Sequence, residues 1–358
     1  MSHSEASTGK RPTIRTLIGS SVATLGVLCS AVASPGAAAQ GASSAAESVA
    51  TGLGAEYGRE QMRRLANSSD RDSLIAAALI GLTNDGQSAP AEGHADVVYR
   101  LVGDYSNDPL AVFTAALVCN VQLQPCARTD DQLQLLRIAP DNAIHHVLLP
   151  NAGKPSAEQL HRAAAAGTAD SHYSALLGIV RKALANQAAP QGQTQGVDPT
   201  ELALALRRNE LASVPWPMFG PIMTICSPAA AARREGDASV RADCANLGLA
   251  LFSDLGHNIV TRTYGGTLVR RFAKGTPAEV AANAFRRQYV WIDELPGPAT
   301  SADKERLYEE TVSLGEWEAF QRHAERSSGA RAAPADWAPS NPQALLLPEE
   351  RGAASSRK

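Results

Sequence analysis

Apolar residues recur at helical rather than strand spacing along most of the chain. Residues 56–66 (EYGREQMRRLA) and 70–82 (DRDSLIAAALIGL) predict two helices, the second with Leu74, Ala77, Ala78 and Leu79 on a core face. Its alanines would let a partner helix approach closely. After the Gly/Pro/Asn-rich break NDGQSAPAEG, helical periodicity resumes near Ala95. Ser156 with Gln159 spells a capping box for a helix to Gly167, and the next helix, 170–186, presents Leu176, Leu177, Val180 and Leu184 as its core face. Residues 186–198 are rich in Gln, Gly and Pro and read as a linker. Asp198-Pro199-Thr200-Glu201 then caps a helix over 199–210, and a second region follows. Its helices are expected at about 243–273, 277–293 (opened by Thr276 and Glu279), 302–313 and 316–327. Pro334, Pro339, Pro342 and Pro348 argue for an extended tail over 328–358, docked through Trp337 and Leu345 to Leu347.

The pattern also repeats. DRDSLIAAALIG from Asp70 aligns without gaps on DPLAVFTAALVC from Asp108, so that Ala77-Ala78-Leu79 falls on Ala115-Ala116-Leu117. A third copy starts near Asn142. Each copy opens on an Asp or Asn suited to cap a helix, and Pro109 stands where a missing N–H costs nothing. Periods of this size point to stacked helical pairs. The stretch LLRIAPDNAIHHVLL, Leu135 to Leu149, resembles the boundary between tetratricopeptide-like units. It is also similar to exported helical proteins of proteobacteria with a Pro-Asp-Asn-Ala turn before an Ala-rich helix. The resemblance covers about residues 68–185; the family's Trp, Leu-Gly and Tyr positions are not filled. It implies an α-α superhelix offering a binding or scaffolding surface, with no catalytic residues to carry over.

Composition agrees with an all-α fold of stacked helical hairpins and a second small helical region. Aromatics make up only 5% of the 358 residues, too few for a β-sandwich or barrel, and 44% hydrophobic against 19% charged excludes wholesale disorder. The net charge of −3 gives no reason to expect nucleic acid.

The N-terminus predicts the compartment. Lys10, Arg11 and Arg15 precede an apolar run from Leu17 to Ala33 that ends in small residues, the layout of a signal peptide over 1–39. Gly19, Ser20, Ser21, Thr24, Gly26 and Ser30 interrupt the run, which makes it a poor membrane anchor, and no transmembrane segment is expected after cleavage. The protein is therefore read as periplasmic or secreted, with residues 40–185 and 199–327 as its two regions. In an oxidising compartment Cys119, Cys126, Cys226 and Cys244 read as disulfides. Three pairings are possible; proximity along the chain selects Cys119 with Cys126 and Cys226 with Cys244. No pair has the two-residue gap of a zinc ribbon, so no metal is assigned.

Catalytic motifs are missing. There is no His-Glu-x-x-His, no Gly-x-Ser-x-Gly and no phosphate-binding Gly loop, and no cofactor is implied. Glu158-x-x-His161 is one copy of a spacing that a di-iron bundle needs twice. His145 and His146 project about 100° apart on a helix, so one is expected packed and the other exposed. Ser253, Asp254 and His257 lie close along the expected 243–273 helix without forming a nucleophile–base pair. A basic concentration of Arg262, Arg270, Arg271, Lys274, Arg286 and Arg287, interleaved with Tyr264, Phe272, Tyr289 and Trp291, could meet an anionic surface. The expected function is a non-catalytic scaffold or protein/peptide-binding module. The alternatives are an envelope hydrolase of unrecognised type, or a structural protein docked on membrane or cell wall through the basic stretch.

Overall fold

The computed structural model describes residues 57–82, 92–122, 129–148, 156–185, 214–229 without Trp216 and Met218, and 238–355. The signal segment, the 186–198 linker, the helix expected at 199–210 and Cys126 lie outside the described residues. Among those described, regular structure is helical with no strand; a single bridge joins Asn142 and Thr168.

The first half begins with α1 (57–66) and α2 (Arg71–Ile80). Asp70 caps α2 by accepting from the Ser73 N–H. Six consecutive residues of α2, Leu74 to Leu79, are buried, where the sequence pattern predicted one apolar face. An all-round apolar helix belongs at a centre, and α2 is wrapped by α3 (His94–Asp104), α4 (Pro109–Gln122) and α8 (Tyr173–Ala185). Between α4 and α8 run α5 (Thr129–Ile138), α6 (Ala143–Val147) and α7 (Ala157–Ala165). The three aligned capping residues do cap. Asp108 accepts from Leu110 and Ala111 N–H at the start of α4, and Asn142 accepts from Ile144 N–H at α6. Arg71 bridges two of these turns by donating to Asp108 at 2.7 Å. Ser156 accepts from Gln159 N–H, while the Gln159 side chain reaches across to the His146 carbonyl at 2.7 Å. Leu176, Leu177, Val180 and Leu184 of α8 are buried as their spacing predicts, and Tyr173 joins them.

The second half comprises α9 (Gly220–Ile225), α10 (Ala238–Phe252), α11 (Ile259–Phe272), α12 (Pro277–Glu294), α13 (Ser301–Leu314) and α14 (Glu316–Ser328). The expected 243–273 helix is thus two helices. Asn258 stops it by accepting from Thr261 N–H as the cap of α11, and α11 folds back on α10. That crossing is tight: a Cβ at Gly265 would lie 2.2 Å from Phe252 N, and one at Gly248 would lie 2.7 Å from Leu268 Cβ. α10 packs on α6 and α7, and α13 on α8, so the halves meet directly. One hydrophobic core runs from Met62 to Leu268. A smaller aromatic cluster gathers Phe252, Phe285, Tyr289 and Trp317 around Ile259 and Val260.

Cys226, at the end of α9, is bonded to Cys244 in α10 with Cα atoms 5.7 Å apart. Cys119 is also disulfide-bonded. No described helix is long and apolar enough to cross a membrane. The tail is not extended throughout. It forms a 3-10 turn at Pro342–Leu345 and a helix, α15 (Pro348–Ser355), because Pro348 stands at the first helical position, where proline does not break the hydrogen-bond ladder.

Candidate functional site

The arginines of α11 and α12 are turned onto the tail. A guanidinium can only donate, and a main-chain carbonyl can only accept, so the two match whatever the side chain. Arg287 donates to the carbonyls of Ala333, Pro334, Ala335 and Trp337, with its guanidinium 5.4 Å from the Trp337 ring centre. Arg286 donates to Ala344 O at 2.8 Å and Arg270 to Leu345 O at 2.6 Å. Arg271 is gripped bidentately by Glu349, both bonds 2.7 Å, and its remaining arm donates to Cys226 O. Gln288 pairs with Arg331 O and Ala333 N–H, and Glu294 accepts from Ser340. Lys274 stays exposed. Arg262 leaves this face altogether: it lies within 5.5 Å of the ring centres of Phe252, Phe285 and Trp317, and burial disfavours its charge. Its Nε has no hydrogen-bond partner among the described residues.

A second constellation sits where the two halves meet. Asp254, in the break between α10 and α11, accepts from Ser171 N–H and hydroxyl and from Gly256 and Asn258 N–H. Burial raises its pKa against the lowering pull of these four bonds. Glu316 opens α14. Although the residue as a whole is part-exposed, its carboxylate is enclosed, accepting from Ile259 N–H at 2.8 Å and from the Tyr173 hydroxyl. Burial pushes its pKa up to about 7. Beside them Asp254, His257, Asn258, Arg262, Leu314, Trp317 and Glu318 line a cleft of about 300 Å³.

Chemically, the central groups of this junction are already engaged. The Ser171 hydroxyl is committed to Asp254, and Asp254 to closing the interhelix turn. His172 and His257, with φ of 52° and 59°, are the described non-glycine residues in left-handed conformation, and both serve the turns at this joint. His172 Nδ1 lies 3.2 Å from Asp170. His145 and His146 are both buried, not one packed and one exposed: α6 is a single short turn, and the two rings fold back to the Ala139 and Pro140 carbonyls. Burial holds His145 neutral with a pKa lowered to about 4. Ser253, Asp254 and His257 lie in the turn rather than along a helix. His161 of α7 faces Asp243 of α10 at 3.2 Å. Among the described residues, no three His, Cys, Asp or Glu are grouped to hold a metal ion.

The chain matches no family model, no curated protein and no solved structure. The reading of the site therefore rests on its own geometry, and its two parts differ in kind. The junction centres on the buried, hydrogen-bonded Asp254 and Glu316 carboxylates, whereas the arginine face meets a segment of polypeptide lying on the surface. Sequence spacing located the arginines but gave no sign of their partners, because main-chain carbonyls carry no side-chain signature.

Glu316 makes the joint sensitive to pH. Its folded pKa lies above the ordinary 4.5, so the protonated form favours the fold. This contribution is complete below about pH 4.5 and is lost as pH rises through about 7, worth about 3 kcal/mol by linkage. His145 has the opposite sign: its neutral form favours the fold, so its contribution is present above its ordinary 6.5 and lost as pH falls towards 4. Glu316→Gln keeps an acceptor for Ile259 N–H and cannot ionise. In urea unfolding, the variant is expected to gain stability relative to the unaltered chain from pH 5 to pH 8; a flat difference contradicts the assignment.

Proposed function

We propose that this protein is an exported, non-catalytic scaffold or binding module, acting in the periplasm or as a secreted protein, whose partner is a protein or peptide. The observation that carries this reading is the α11–α12 face, where arginines hold a turn-containing run of chain, residues 333–345, through its main-chain carbonyls. Such contacts are suited to polypeptide rather than to a small substrate. The Cys226–Cys244 bridge fits an oxidising compartment, and the signal-like first 39 residues supply a route there. The tetratricopeptide-like pattern over 68–185 adds a stack of helices of the kind that presents binding surfaces.

The alternatives are weaker on the same ground. Electrostatic docking on membrane or wall would need free arginines, and Arg270, Arg271, Arg286 and Arg287 are engaged with the tail. A hydrolase would need an available nucleophile, and in the 254–258 cleft Asp254 and Asn258 are committed to holding the joint.

Native mass spectrometry of the protein extracted from its own envelope fraction, under non-reducing conditions, tests the reading. The expected species lacks residues 1–39, carries its cysteines as disulfides and retains a protein or peptide. An uncleaved leader, free thiols, or a stoichiometric metal with no partner would overturn it.

A further inference from the structure

We propose that the arginine face of α11 and α12 is a peptide-binding site whose resident ligand is the chain's own tail, and that it accepts from a partner protein a proline-containing segment of similar turn-rich course, with an apolar anchor followed two residues later by a carboxylate. This deepens the binding-module reading and rests on it.

The recognition chemistry is that of a ligand site. Six tail carbonyls, from Ala333 to Leu345, receive arginine donors, which demands main-chain oxygens turned towards α11 and α12 and leaves the side chains nearly free. Pro334, Pro339 and Pro342 fix φ at three positions before the segment binds, which lowers the ordering cost. Selectivity then comes from three anchors: Trp337 over Arg287, Leu347 buried, and Glu349 on Arg271.

The site is also built independently of its occupant. Arg270 is positioned by Asn283 Oδ1 at 2.7 Å, Arg271 by Cys226 O at 3.0 Å, and Arg286 lies 5.6 Å from the Tyr289 ring centre. None of these contacts involves the tail, so Arg270, Arg271 and Arg286 stay placed when it lifts, while the contacts of Arg287 are to the tail itself. Vacated, the face would bring unneutralised guanidinium groups together, and a carboxylate is the group that replaces Glu349.

Finally, the occupant is releasable. Between 331 and 351 Leu347 is buried, while the others are at least partly exposed. A segment with so little buried apolar surface opens at low cost compared with the helices beneath it. The polar grip is strong in direction and weak in bulk, which suits exchange.

The test uses the intact mature chain and a fluorescent synthetic peptide of residues 331–351. Glu349→Ala in the protein weakens the resident tail, and the peptide is expected to bind this variant at least tenfold more tightly than the unaltered chain. Adding Arg271→Ala should cost at least tenfold, as should Leu347→Asp in the peptide. Binding that is absent everywhere, equal in all variants, or replaced by a dimer of exchanged tails overturns the proposal. Because variants can unfold, hydrogen exchange on the unaltered chain gives a second reading. The Ser340 and Leu347 amides should exchange well before those of α11 and α12, and equal protection overturns release. If the envelope-extracted protein carries a partner while the peptide fails to exchange, this inference falls and the binding-module reading stands. If no partner is carried but the peptide exchanges, the reverse holds.

Discussion

Adding one methyl group at Gly265 is expected to destabilise the protein by about 2–3 kcal/mol, although the same change in an open helix would help. Alanine gains up to about 1 kcal/mol over glycine in a helix interior. At Gly265 that gain is overwhelmed, because the new Cβ would lie 2.2 Å from Phe252 N and 2.5 Å from the Leu251 carbonyl carbon. Those are backbone atoms of α10, so no rotamer change relieves the clash, and the two helices must separate along their length. Two neighbours calibrate the result. A Cβ at Gly266 meets the Phe252 ring at 3.4 Å, and one at Gly178 in α8 meets nothing within 4 Å. Gly178→Ala should raise the thermal midpoint, Gly266→Ala should change it little, and Gly265→Ala should lower it by several degrees. Equal midpoints for the three variants would mean that the α10–α11 crossing is looser than described.

Asp254→Ala is expected to cost about 3–5 kcal/mol, the largest effect at the joint between the halves. The carboxylate serves three backbone N–H groups and one hydroxyl, all in buried hydrogen bonds. Removing it strands donors that each cost about 1–3 kcal/mol when buried unpaired, partly offset by entering water. Asp254→Asn keeps one accepting oxygen but turns an NH₂ towards a donor, so about half of the loss should return. Ser171→Ala removes only the hydroxyl and should cost about 1 kcal/mol. Chemical denaturation gives the ordering directly: if alanine at 254 costs no more than alanine at 171, the turn is not held by the carboxylate.

Much of this architecture was legible because caps and periodicity are local signals. Asp70, Asn142, Ser156 and Thr276 each stand where a helix begins, and each accepts the N–H its position requires. What escaped was tertiary. The sequence SDLGHN, 253–258, contains a cap, but apolar residues on both sides keep helical phase, and the periodic reading ran through it. Pro348 looked like a barrier and is a helix start, a distinction that depends on where the preceding turn ends. The basic concentration was visible in the residue types, while its engagement with residues 333–349 depends on the tail returning over α12. Nor does spacing explain the burial of both His145 and His146: that follows from a one-turn helix with two free carbonyls beside it.

The Asp254 clasp has a consequence in time as well as in energy. Its partners, Ser171 and Asp254, lie 83 residues apart in the chain. A polypeptide emerging from its N-terminus at 5–20 residues per second leaves Ser171 waiting for on the order of 4–16 s. During that interval α8 has no α13 to lie on and Tyr173 no Glu316 to meet. The N-terminal helices therefore spend their first seconds as an open-sided assembly, and completion waits on the late-arriving helices. A chain of this design stays loose while it is being made and tightens only near the end.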